Sequence, residues 1–191
     1  IVTAGNDFPK ENEKFHWRNN RDLSGNNVMQ MGIWYEAIMR WVGPAKTVLS
    51  NAQTINNPRI DEQGNFVFTD VPDHLDVLCE MIAGGTANLQ FTMVSGMAPE
   101  SEIWIHGTEG TIVIKTETTS DAGAPKLVLL GAEKGQTKLE EISVPTEETG
   151  AWRVEEEFIN AIRGKENITH TSFTDGVKYM KFTDAIYDSY I

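Results

Sequence analysis

The feature that most restricts this chain is a period of two in its middle third. Leu75, Val77, Cys79 and Met81 alternate with Asp76, Leu78, Glu80 and Ile82, and Ala87, Leu89, Phe91 and Met93 alternate with Asn88, Gln90 and Thr92. Successive side chains of a strand point to opposite faces, so each run is a half-buried strand. Gly84-Gly85 between the runs marks a hairpin. Such a pair needs a layer against its apolar side. It leaves Asp76, Glu80, Asn88, Gln90 and Thr92 facing water or a second copy of the same surface.

A second hairpin is predicted where Ile103-Trp104-Ile105-His106 and Thr111-Ile112-Val113-Ile114-Lys115 flank Gly107-Thr108-Glu109-Gly110. Residues 1–4 are β-prone and end at Gly5-Asn6-Asp7, and further strands are predicted near 46–55, 65–69, 126–131 and 139–144. Asp121-Ala122-Gly123-Ala124-Pro125 and Ala132-Glu133-Lys134-Gly135 read as turns.

Helical spacing appears on both sides of the strands. Trp34, Ile38, Trp41 and Val42, widened by Ile33 and Ala37, give a helix over about 28–42 an apolar face, with Glu36 and Arg40 paired on its outside. Asn26 or Asn27 can cap it, and Gly43-Pro44 stops it. Val154, Phe158, Ala161 and Ile162 line a helix from about 150 to Gly164. Ser172 with Asp175 caps a last helix to about 190, whose Val177, Met180, Phe182, Ala185, Ile186 and Tyr190 predict a broadly covered surface. A helix, a run of hairpin-linked strands and two more helices make an α+β plan: an open-faced, mostly antiparallel sheet with helices packed on one face.

The 191 residues are the size of one domain. Sixteen basic against 28 acidic side chains leave a formal charge of −12, which gives a nucleic-acid backbone nothing to bind. No apolar run approaches a membrane span. The single cysteine, Cys79, excludes an internal disulfide and lies in an apolar alternation, so it reads as a core thiol. The chain begins at Ile1 without an initiator Met, leader or tag, so it is expected to be part of a longer, cytoplasmic protein.

No G-x-G-x-x-G fingerprint, Walker loop, G-x-S-x-G elbow or H-E-x-x-H is present. His16, His74, His106 and His170 are far apart and lack companions at ligand spacing, so no metal site is expected.

One stretch says more. Trp17-Arg18, then Ser24-Gly25-Asn26-Asn27, then Met31-Gly32-Ile33-Trp34 opening a helix that ends at Gly43, resembles the second domain of the Gfo/Idh/MocA oxidoreductases. Ile105-His106-Gly107-Thr108-Glu109-Gly110-Thr111 resembles that family's strand–Gly-Thr-x-Gly–strand hairpin. Phe158-Ile159-Asn160-Ala161-Ile162-Arg163-Gly164, with Asp175-Gly176 and Ala185-Ile186-Tyr187-Asp188-Ser189, resembles its closing helices. The resemblance implies that residues 1–191 are a C-terminal substrate-binding and oligomerisation domain. A separate N-terminal Rossmann domain would bind NAD or NADP and carry a catalytic lysine. A sugar, cyclitol or related hydroxy compound would be the substrate, and a homo-oligomer would form through the sheet face.

Laid on the family's Asp-x-Gly-x-His-x-x-Asp, this sequence has Gln30, Gly32, Trp34 and Ala37. Gln30 can hydrogen-bond a hydroxyl but cannot act as a base, and the indole of Trp34 has one donor and no basic nitrogen. The candidate substrate contacts are Trp17, Arg18, Gln30, Trp34 and Tyr35; Gln30 and Trp34 lie one helical turn apart, with Trp34 either a wall for a sugar ring or a core residue beside Ile38 and Trp41. Arg18 either binds substrate through its planar fork or stacks on Trp17 at the surface. Tyr35 is the nearest titratable side chain, a substrate contact or a base only if a cation lowers its pKa. The lost acid and base positions also fit a different class, a non-catalytic oligomerisation or ligand-sensing module.

Overall fold

The computed structural model describes residues 2–3, 7–117, 126–150, 152–169 and 172–191. In chain order the elements are β1 (Val2–Thr3), α1 (Arg21–Ser24), α2 (Met31–Val42), β2 (Ala45–Gln53), β3 (Arg59–Ile60), β4 (Phe66–Val67), β5 (His74–Met81) and β6 (Thr86–Thr92). They continue with β7 (Glu102–His106), β8 (Gly110–Glu117), β9 (Lys126–Glu133), β10 (Glu140–Glu141), α3 (Val154–Ile162) and α4 (Phe173–Tyr190). The mixture is α+β, as the patterning predicts. The expected single sheet is instead two four-stranded sheets, β1-β6-β5-β2 and β10-β9-β8-β7, beside a β3-β4 ribbon. All pairings are antiparallel except β1 with β6.

The first sheet carries the core. Leu75, Val77, Cys79 and Met81 are all buried, and they meet Met31, Tyr35 and Met39 of α2 and Phe182 and Ile186 of α4. The Tyr35 ring stacks on Phe182 with centroids 3.5 Å apart, and its hydroxyl accepts from the Ala45 N–H at 2.8 Å, fastening α2 to the start of β2. α4 lies along β2, where Ser50 Oγ donates to the Ile186 carbonyl at 2.8 Å and the Ser50 N–H donates to Ser189 Oγ at 3.0 Å. Both predicted hairpins form, the first through Gly84 and Gly85 at φ 94° and 83°, values only glycine adopts readily.

Several expectations about faces are corrected. α2 buries Met31, Tyr35, Ile38 and Met39 and leaves Ile33 and Trp41 exposed, a stripe rotated from the predicted one. The helix is apolar on nearly every side, so periodicity could not choose; stacking on Phe182 chose. Glu36 is buried, not on the outside, and receives the Arg40 guanidinium. Thr92 is fully buried instead of standing on the polar face, its hydroxyl paired with Ser95 Oγ at 2.7 Å, while Met93 falls beyond the strand and is exposed. In α3, Phe158 and Ile162 are exposed and Glu157 is buried, because its carboxylate takes the Thr169 N–H and hydroxyl. Val177 and Met180 of α4 are likewise exposed, since they lie outside the surface of that helix covered by β2 and α2. Strands 65–69 and 139–144 shrink to Phe66–Val67 and Glu140–Glu141. Gly5-Asn6 and the turn Asp121–Pro125 lie outside the described residues.

Among the described residues, no helix is long and apolar enough to cross a membrane. None of them cluster as three or more potential metal ligands. His170 lies outside the described residues.

Candidate functional site

The approach to α2 is built by a chain of polar side chains. His16 caps a single turn at Trp17–Asn19, accepting from the Arg18 N–H at 3.3 Å, while Asn19 Oδ1 accepts from the His16 N–H at 2.9 Å. The Arg18 guanidinium lies 4.4 Å over the Trp17 ring, and both side chains are exposed. Asn20 caps α1, and Gly25 at φ 64° ends it.

Arg21 then acts as a pillar. It donates to Asp70 Oδ2 at 2.8 Å, the Asp70 carbonyl at 2.7 Å, Asn26 Oδ1 at 2.9 Å and the Tyr190 hydroxyl at 3.2 Å, and its guanidinium stacks 4.3 Å from the Tyr187 ring. Asn26 in turn donates to Asp184 Oδ1 at 2.9 Å. The loop is thus pinned to the end of α4. Sequence reasoning did not single out Arg21, and no local signal could have, because Asp70 and Tyr190 are 49 and 169 residues away.

Asn27 caps α2 by accepting from the Gly32 N–H at 2.8 Å. A Cβ at Gly32 would sit 2.9 Å from the Asn27 amide and 3.0 Å from the Tyr179 ring, so glycine makes room for this cap. Between cap and helix, Met29 (φ 49°, ψ 34°) and Gln30 (φ 59°, ψ 21°) are both left-handed. L-residues with a Cβ enter that region at a cost of roughly 1–2 kcal/mol each. Such strain persists only where the surroundings enforce it, and it gathers at functional positions.

The corner leaves Gln30 exposed at the mouth of α2, with Trp34 one turn further on, half-buried against the core. Tyr35 points the other way, into the core. Burial raises its phenol pKa, its hydroxyl accepts from the Ala45 N–H and its ring stacks on Phe182, so the side chain is held in the core. Trp17 with Arg18 and Gln30 with Trp34 are therefore two separate pairs; among the described residues, no hydrogen bond or ring contact joins them. Nor do the two hollows on the sheet surfaces include any of these four.

A helix layer on an antiparallel sheet, with a strained polar corner opening its first long helix, defines a class of two-layer α+β domains. The chain matches the GFO/IDH/MocA C-terminal domain over residues 1–113 and belongs to that family. Among solved structures it is similar to levoglucosan dehydrogenase in complex with NADH and L-sorbose, at 19% identity and a TM-score of 0.72 over 98% of this chain and 55% of that one. It is also similar to a putative NADPH-dependent oxidoreductase from Desulfitobacterium hafniense, at 16% identity and TM-score 0.69, covering 98% and 52% of the two chains. Aldose-aldose oxidoreductase from Caulobacter crescentus complexed with glycerol is a third, at 18% and 0.66, covering 98% and 51%. At these identities the likeness is one of fold. The chain spans about half the length of the solved structures it matches. A comparison with curated protein sequences gave no match.

Proposed function

We propose that residues 1–191 form the substrate-binding and oligomerisation domain of an NAD(P)-dependent oxidoreductase acting on a sugar, cyclitol or related hydroxy compound in the cytoplasm. The observation that carries this reading is the Met29–Gln30 corner, two strained residues that present one exposed amide at the mouth of α2. Family membership and the similar structures, which are complexes with NADH and L-sorbose or with glycerol, support the choice of chemistry.

The residues of this chain do not fit the dinucleotide. The space left by Gly32 is filled by Asn27 and Tyr179. In this proposal the cofactor is bound by a domain outside residues 1–191, where it supplies hydride transfer. What this chain contributes is binding and orientation. The Gln30 amide can donate to one hydroxyl and accept from its neighbour, as a vicinal diol requires. Trp34 offers an apolar ring face to the C–H side of the substrate, and Arg18, propped on Trp17, can reach a carboxylate or hydroxyl at the rim. With Tyr35 buried, none of these is a base, so proton removal falls to a group outside this chain. That same lack supports a second reading, a ligand-sensing module without catalysis.

Titration of the full-length protein with NAD(H) and NADP(H), followed by fluorescence, separates the two. Micromolar binding of either, with dehydrogenase activity on polyols that Gln30→Ala and Trp34→Ala weaken about tenfold or more, is expected. Absence of binding by both nucleotides overturns the oxidoreductase reading and favours the sensor.

A further inference from the structure

Residues 8–16 cross the surface as a strap with no helix or strand of their own, and they lead directly into the turn that carries Trp17 and Arg18. At its start the Phe8 ring lies over Gly96, where a Cβ would come within 2.5 Å of it. The Lys10 N–H then donates to Asn56 Oδ1 at 2.9 Å. The Ile60 N–H donates to the Glu13 carbonyl at 2.9 Å and the Phe15 N–H to the Ile60 carbonyl at 2.8 Å, so the strap runs beside β3. One further anchor is ionic: the Glu13 carboxylate accepts from the Arg59 guanidinium, and from Asn56 Nδ2 at 2.9 Å. Arg59 is 4% exposed, and Nη2 of its guanidinium lies 3.6 Å from the carboxylate of Asp73, which is 2% exposed. Asp73 is fixed to the first sheet, since its N–H donates to the Gln53 carbonyl at 3.0 Å and its carboxylate accepts from the Ile55 and Asn56 N–H groups at 2.7 and 2.8 Å. A path of buried charge thus runs from the sheet through Asp73, Arg59 and Glu13 to the strap.

We propose that Glu13 is a positioning residue for the rim pair: held on Arg59, it sets where Trp17 and Arg18 stand relative to α2, and residues 10–19 open together when that hold is lost. The inference rests on reading Trp17 and Arg18 as substrate contacts. Local opening, as opposed to general unfolding, follows from the surroundings. Residues 8–12 and 16–18 are exposed, so few apolar contacts oppose the movement. Asp73 stays beside Arg59 when Glu13 leaves, so the buried guanidinium keeps a counter-charge. Arg59 Nε is buried without a hydrogen-bond partner among the described residues, and it reaches water when the strap lifts. Closing therefore leaves one donor unsatisfied and is held chiefly by the Glu13 carboxylate. At the far end the Thr69 hydroxyl donates to the Asn19 carbonyl, which makes the stretch beyond the rim pair a second point of attachment.

Two measurements on the chain test the path. Spin labels at Arg18→Cys on the rim and Ile33→Cys on α2, both exposed, report the distance between them, while the buried Cys79 stays unlabelled. The distance distribution should be narrow with Glu13 present and broad in Glu13→Ala. A structural role alone would lower the unfolding midpoint and leave the distribution of folded molecules narrow. Hydrogen–deuterium exchange over residues 10–19 should quicken by about tenfold or more in Glu13→Ala, with Leu75–Met81 of β5 unchanged. Glu13→Gln, which keeps the shape without the charge, should fall between, and Lys14→Ala at the exposed neighbouring position should match the parent. An unchanged distribution in Glu13→Ala, or exchange that quickens equally in β5, overturns the proposal. Neither readout depends on turnover, so this inference and the oxidoreductase reading fail separately.

Discussion

In the first sheet every inward residue of β5, from Leu75 to Met81, is buried under α2 and α4; in the second, Val113 and Val128 alone among the described residues reach that degree of burial. The two sheets have the same number of strands, similar strand lengths and similar aliphatic content. What differs is the layer above. A sheet face becomes core when a helix with its own apolar stripe is anchored on it, and here the anchors are polar: Tyr35 to Ala45, Ser50 to α4, Arg21 to Asp70 and Tyr190. Among the described residues of the second sheet, aliphatic side chains such as Ile112 and Leu127 remain exposed.

The largest effect that tests this contrast is in the core. Leu75→Ala should cost about 3–4 kcal/mol in denaturant unfolding, within the range for fully buried leucines. Val77→Ala and Val128→Ala delete the same atoms from the two sheets, and the second should cost less than half the first, because its open surroundings can collapse into the space. Equal losses would break the comparison.

A pH series gives a middle-sized effect confined to the first sheet. Burial pushes the Cys79 thiol up to about 11 from a reference of 9.0, and burial likewise raises Tyr35. A group whose folded pKa is raised binds its proton more tightly when folded. Its contribution is complete below pH 9 and is lost as pH rises toward 11. Unfolding midpoints should fall over that interval, and Cys79→Ala should flatten the fall. A native thiol that reacts freely with a disulfide reagent at pH 8 would contradict this placement.

The smallest effect sharpens the site. Gln30→Gly removes a Cβ from a left-handed position and should stabilise the fold by about 1 kcal/mol in chemical denaturation, while weakening polyol binding by the full-length protein. A gain in stability with binding retained would leave the strain without a functional reason.

Much of this architecture is legible in the residues. The hairpin glycines, the alternation in β5, the Ser172 cap and the Asn27 cap are local, set by φ/ψ freedom and by hydrogen bonds a few residues long. Gln30 and Trp34 could be named because a motif with fixed spacing runs through them. Their left-handed setting could not be foreseen, since neither Met29 nor Gln30 is a residue type that favours it. Arg21 escaped notice because its partners arrive from 49 and 169 residues away.

The sequence by itself determined the α+β class, the order of elements, the two hairpins and the absence of a dinucleotide fingerprint, all properties of local spacing and composition. Only the tertiary structure decided which stripe of α2 is buried, that Glu36, Thr92 and Tyr35 are interior, and that the strands divide into a covered sheet and an open one. The reason is physical: a periodic pattern states that a face is apolar, whereas burial depends on which distant surface is anchored against it.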